Sequence, residues 1–144
     1  MNETQDSLRR AFASPTPLLV RVSRDGFLVE DEPLSEIVGR VRSKRLLRKL
    51  FKDGALACDS TDGQVARDGT RCADCAHPRC RPILRLTLVR DSALYVLDLG
   101  TTSVRNFFAI EDQAKACGAD IEDWTVCATV LAHDTWGEVL FERA

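Results

Sequence analysis

The sequence predicts a mainly β protein, a β-rich α+β fold built as a small OB-like β-barrel with one helix and a long cysteine loop. Residues 1–17 are expected to be a flexible arm and residues 18–144 a single domain. Three observations lead there. Short β-rich runs recur in pairs around turn residues, one segment has helical spacing with a cap and a stop, and one polar segment gathers four cysteines between the runs. At 144 residues and 44% hydrophobic, the chain can bury one core without disulfide staples. The order of strands, cysteine loop, strands, helix, strands suits a bent barrel closed by a helix better than a doubly wound α/β sheet.

The elements follow in order. "LLVRVSRDGFLVED" reads as two short strands around a turn at Asp25 and Gly26. "PLSEIVGRVRSKRLLRKLFKDG" is ambiguous: Ile37, Gly39 and Val41 alternate as in a strand, whereas Leu47, Leu50 and Phe51 have helical spacing. "ILRLTLVRDSALYVLDL" predicts a second hairpin with its turn at Asp91 and Ser92. Thr102 or Ser103 is a candidate cap for a helix that turns Val104, Phe107, Phe108 and Ala114 inward and stops at Gly118. The last segment alternates Trp124, Val126, Ala128, Val130 and Ala132, turns near Trp136 and Gly137, and returns through Val139 and Phe141. His133, Cys117 and Cys127 are expected to be packing residues.

The cysteine segment spans residues 57–82 with the spacing Cys58-x13-Cys72-x2-Cys75-x4-Cys80. A Cys-x2-Cys turn holds two sulfurs near the roughly 3.7 Å separation that zinc–sulfur bonds of about 2.3 Å require, and four thiolates complete a tetrahedral shell. Arg71, Arg79 and Arg81 stand beside these positions and temper the accumulated charge. The segment has few apolar residues with which to order itself, so a structural zinc gives it a reason to hold a shape. His77 is an alternative ligand to Cys58 or Cys80. A redox Cys-x2-Cys usually opens a helix, which Pro78 and Pro82 oppose, and neither common ferredoxin spacing is matched.

Net charge is −2, but it is unevenly distributed. Residues 40–90 hold 13 Lys and Arg against 5 Asp and Glu, and Arg40, Arg42, Lys44, Arg45, Arg48, Lys49 and Lys52 place seven cations in thirteen residues. Such segregation is the electrostatic footprint of a polyanion binder; the alternative is a solvated face neutralised by the acidic segments. Trp136, at an expected hairpin tip, is the better candidate for stacking on a base, and Phe51 is the better candidate for core packing. No run approaches the roughly 20 apolar residues of a membrane-spanning helix, and the N-terminus lacks a secretory pattern, so a cytoplasmic setting without membrane contact is expected.

The succession "FLVED", "EIVGRVRSKRLLRKLF", "CDSTDG", "CADC", Cys80, "LRLTLV" and "TTSVRNFF" resembles a group of small proteins of bacteriophages and mobile elements. Those proteins carry a Cys-x-Ser-x-Asp-Gly start, a Cys-x2-Cys and a later Cys between strands, then a Thr-Ser-capped helix. The resemblance covers roughly residues 18–132. It implies that residues 36–51 pair as strands and that the cysteine loop lies between barrel strands. More loosely, the arrangement is similar to OB-fold single-stranded DNA-binding proteins with a zinc-bearing loop, such as the large subunit of replication protein A and phage helix-destabilising proteins. The stretch before the last cysteine, "AHPR", is shorter here than in the phage group.

Two functional expectations follow. The first is a single-stranded nucleic-acid-binding protein, DNA being the expected ligand, in a nucleoprotein, replication or mobile-element context. The second is a zinc-stabilised adaptor that docks a protein partner in such a complex. An enzyme is not expected: the sequence has no phosphate-binding Gly loop with Lys, no nucleophile elbow and no deaminase His-x-Glu, and a four-thiolate zinc has no open position.

Overall fold

One long strand organises the sheet. The computed structural model describes residues 16–52, 55–60, 71 and 81–144, with side chains described except at 50–52 and 55–60. Nine strands form a single sheet: β1 (Pro17–Ser23), β2 (Gly26–Val29), β3 (Glu32–Leu34), β4 (Glu36–Lys52), β5 (Ala55–Ser60), β6 (Arg81–Arg90), β7 (Ala93–Leu99), β8 (Thr125–Ala132) and β9 (Gly137–Arg143). Their order is β3-β2-β1-β7-β6-β4-β8-β9, with β5 joined to β4. One edge of β4 pairs with β8 through residues 36–40 and with β5 through residues 48–52. Its other edge pairs with β6 through residues 40–49. Among the described strand pairs, only β1 and β7 run parallel.

A bulge explains why β4 reads ambiguously as a sequence. Val41 pairs with Leu88 and Ser43 with Thr87, so Arg42 is an extra residue in the ladder. Before it, the odd residues Ile37, Gly39 and Val41 face the core. After it, Lys44 and Leu46 share the face of Leu86 and Leu84, while Arg45, Leu47 and Lys49 share the opposite face with Arg85, Ile83 and Arg81. One inserted residue changes the phase of alternation, and the apolar positions on either side of it then imitate helical spacing.

The core lies between the inner face of the sheet and α1 (Thr101–Ala116). Leu86, Leu88 and Leu97 from the sheet meet Phe107, Ile110 and Ala114 from the helix. Phe107 also makes an edge-on contact with Phe141 at 5.5 Å between ring centres. The two sides of the sheet curl toward each other: a Cβ at Gly137, in the last strand, would strike the carbonyl oxygen of Ser23 in β1. The result is a mainly β half-barrel with one helix among the described residues, in keeping with a small OB-like barrel. No helix among the described residues is long and apolar enough to cross a membrane.

Several sequence-based expectations need correction. Gly100, not Thr102 or Ser103, is the helix N-cap; Ser103 is buried and its hydroxyl accepts the Val139 amide. Phe108 is exposed, because it stands next to Phe107 and that ring takes the inward position. The helix does end beside Gly118, at a φ of 73° that favours glycine. The first hairpin turns at Arg24 and Asp25, with Gly26 already in β2. A 3-10 turn, Ile121–Asp123, leads from the helix into β8. Cys117 is exposed and His133 is partly exposed at a hairpin tip, whereas Cys127 is buried as expected. Of the expected arm, residues 1–15 lie outside the described residues, and Pro17 belongs to β1.

Candidate functional site

The end of β7 creates a cleft. Its last pair is Leu99 with Leu84, after which the chain turns at Gly100 into α1. Arg81, Pro82 and Ile83 of β6 therefore have no β7 neighbour. Proline suits this edge because it has no amide hydrogen to leave unpaired. The space has a volume of about 660 Å³. One wall is Arg81–Ile83 with Lys49 of β4, the second is Gly100–Ser103 at the start of α1, and the third is Trp136 and Gly137 at the β8–β9 turn.

The walls carry complementary chemistry. Gly100 supplies no capping side chain and the first helical turn holds no acidic residue, so the positive end of a 16-residue helix faces the cleft without a carboxylate of its own. Arg81 is exposed, and among the described residues it makes no ion pair. Lys49 Nζ donates to Asp98 Oδ2 at 2.9 Å, and Arg85 donates to both oxygens of Asp98, through Nε at 2.8 Å and Nη2 at 3.0 Å. Partial burial pushes the Asp98 carboxyl up, but the hydrogen bonds and charges of Arg85 and Lys49 outweigh it and hold the group below the usual carboxylate range. The hydrogen bonds from Arg85 to Asp98 likewise raise the guanidinium against the lowering effect of burial. One carboxylate thus serves two cations.

The register brings like charges together. Arg45 stands directly opposite Arg85, and Lys49 opposite Arg81, on one face of β4 and β6. Like charges directly across a ladder repel; Asp98 compensates part of this, and on its other side Lys49 has Asp59 of β5 as its register partner.

Trp136 supplies an apolar surface at the cleft edge and is 44% exposed. One face of its indole lies on the His133 ring, with centres 4.3 Å apart and planes 12° apart. The turn is closed by the His133 amide donating to the Trp136 carbonyl at 2.8 Å. Helix α1 holds this turn in place: Asn106 Nδ2 donates to Glu138 Oε2 at 2.8 Å and to the Val139 carbonyl at 2.9 Å, and Ser103 Oγ accepts from the Val139 amide at 2.9 Å. Two walls of the cleft are therefore fastened to each other.

The other predicted cations separate into groups. Arg40 is exposed, and its guanidinium donates to the Glu122 carbonyl at 3.3 and 3.1 Å. Arg42 occupies the bulge and is exposed, as is Arg45. Lys44 is carried to the inner face by the bulge and ion-pairs with the buried Glu111 of α1, a structural role. Arg48 is half-buried on the inner side, and its Nε is buried without a hydrogen-bond partner among the described residues. Arg71 has an exposed side chain. The side chains of Phe51, Lys52 and Cys58, and the whole of Cys72, Cys75, His77, Arg79 and Cys80, lie outside the described residues. The backbone fixes where the cysteine segment starts and finishes. Cys58 pairs with Leu50 in β5, and Arg81, next to Cys80 in the chain, pairs with Lys49 in β6. The segment leaves and re-enters the sheet beside the same end of β4.

Sequence reasoning missed Asp98, Arg85 and the start of α1. A hint was the passage from "LDL" through Gly100 into "TTS", a strand running into a helix with no acidic residue in its first turn. Among the described residues no three His, Cys, Asp or Glu side chains form a metal-binding group. Burial raises the Cys127 thiol, and the hydrogen bond it donates to Glu36 at 3.4 Å raises it further, which disfavours the thiolate. Comparison of the chain with protein families, curated proteins and solved structures returns no match.

Proposed function

We propose that the protein binds single-stranded nucleic acid, with DNA as the expected form, along the outer face of β4 and β6 and in the cleft at the start of α1. The observation that carries this reading is the convergence of Lys49, Arg81, the uncapped start of α1 and Trp136 on one cleft. Cations and helix amides suit a phosphate, and an exposed indole suits an unpaired base. A base in a duplex is already stacked and cannot reach such a ring without opening, which favours single strands. Arg40, Arg42, Arg45 and Arg85 extend the positive surface beyond the cleft. Cys58, Cys72, Cys75 and Cys80 would hold one structural zinc, shaping the segment that joins β5 to β6. The role is one of binding, not catalysis, and the resemblance to small phage and mobile-element proteins supports a replication or related nucleoprotein setting.

Fluorescence anisotropy with labelled single-stranded and duplex oligonucleotides across a salt series tests the proposal. The expected result is preferential binding of single strands, little dependence on sequence, and a logarithmic salt slope of about 0.7 for each phosphate contacted. If no salt-sensitive binding is found, the zinc-stabilised protein adaptor takes its place.

A further inference from the structure

Trp136 lies in a short surface turn, where an isolated indole would sample several rotamers and lose that freedom on binding. Here it is restrained by a chain of contacts that begins in α1. Asn106 donates to Glu138 Oε2 at 2.8 Å, Glu138 Oε1 accepts from His133 Nε2 at 2.9 Å, and the imidazole lies flat against the indole, 4.3 Å between centres. The imidazole covers one indole face, and the ring lines the cleft.

We infer that His133 is a positioning residue for nucleic-acid binding: it fixes the Trp136 indole with one face free, so that an unpaired base completes a three-layer stack of imidazole, indole and base. This rests on the proposed nucleic-acid reading and names the part of the ligand that Trp136 takes. A planar, unpaired base is the chemical group that matches a pre-oriented flat ring beside a phosphate-binding wall. Because the indole is already ordered, binding loses less side-chain freedom than it would with a mobile tryptophan. His133 itself need not touch the ligand. Its contribution passes through the indole.

The chain has two tryptophans, which makes the test direct. Full-length protein is labelled with 5-fluorotryptophan, the two fluorine resonances are assigned with Trp136→Phe, and the buried Trp124 reports on the fold. His133→Ala is expected to move and broaden the Trp136 resonance without moving that of Trp124. It should weaken binding of a labelled oligothymidine about threefold to tenfold, the range expected for loss of one aromatic pair, with the salt slope unchanged. His133→Phe keeps the stack without the bond to Glu138 and should recover only part of the affinity, the remainder being the contribution of the Glu138 anchor. An unchanged Trp136 resonance, or normal affinity in His133→Ala, overturns the positioning role while leaving the nucleic-acid reading intact. Failure of the wild-type protein to bind oligothymidine overturns both, and oligothymidine that binds without moving the Trp136 resonance overturns the stack.

Discussion

Replacing Asp98 by Asn should weaken the fold and strengthen ligand binding. The carboxylate is 31% exposed and accepts three hydrogen bonds from Lys49 and Arg85. Charge-assisted bonds of this kind are worth about 1.5–3 kcal/mol when well buried, and exposed ion pairs about 0–1 kcal/mol. For this partly exposed group, with both cations retaining some hydration, the expected loss lies between these ranges, about 1–2 kcal/mol, read by urea unfolding at pH 7. The sign with pH follows from the depressed carboxyl. Its stabilisation is fully present above the unfolded pKa of about 3.9 and disappears as pH falls through the lower folded value, so wild type and variant should converge in strong acid. Binding moves the other way. The neutral amide in Asp98→Asn would release two cations toward phosphate, so affinity for single strands should rise and the salt slope should steepen by about 0.7 for each cation recruited. Equal stability at pH 7, or weaker binding with a shallower slope, would refute the reading of Asp98 as an internal competitor for the ligand.

Other perturbations test the supports of the site. Ser103→Ala leaves the buried Val139 amide without its acceptor and should cost about 1–3 kcal/mol in denaturant unfolding. Gly137→Ala drives a methyl group into the Ser23 carbonyl and the Val130 side chain, so it should destabilise by about 1–3 kcal/mol, with a lowered melting temperature as the readout. Metal analysis of purified protein should find about one zinc per chain, and Cys72→Ser or Cys75→Ser should lose it while the circular dichroism of the barrel persists. Wild-type protein free of zinc would remove the metal from the account.

The parts of the fold legible in the sequence are those governed by local alternation and turn chemistry. The β6–β7 hairpin is one, since Leu84, Leu86 and Leu88 alternate up to the turn at Asp91, whose φ of 54° is one that Asp tolerates. The helix stop at Gly118 is another. β4 was ambiguous because the bulge at Arg42 changes its phase, and a bulge has no firm signature in one sequence. β3 is not legible in the sequence because its three exposed residues, Glu32–Leu34, carry no hydrophobic pattern. For the site, clustered charge marks Lys49 and Arg81, and the expected hairpin tip marks Trp136. Their meeting in one cleft depends on where β7 stops and how far the sheet curls, which are tertiary facts. Lys44 shows the converse. It belongs to the same charge run, yet the bulge turns it inward to Glu111, a partner 67 positions away in the chain.

Photocrosslinking tests the central claim most directly. A single-stranded oligonucleotide bearing 5-iodouracil, irradiated with the protein and mapped by peptide mass spectrometry, reports which aromatic ring touches a base. The account predicts a principal crosslink at Trp136, reduced at high salt and in Arg81→Ala. A principal crosslink at Phe108, whose exposed ring lies on helix α1 outside the cleft, or the absence of any crosslink under binding conditions, would contradict it.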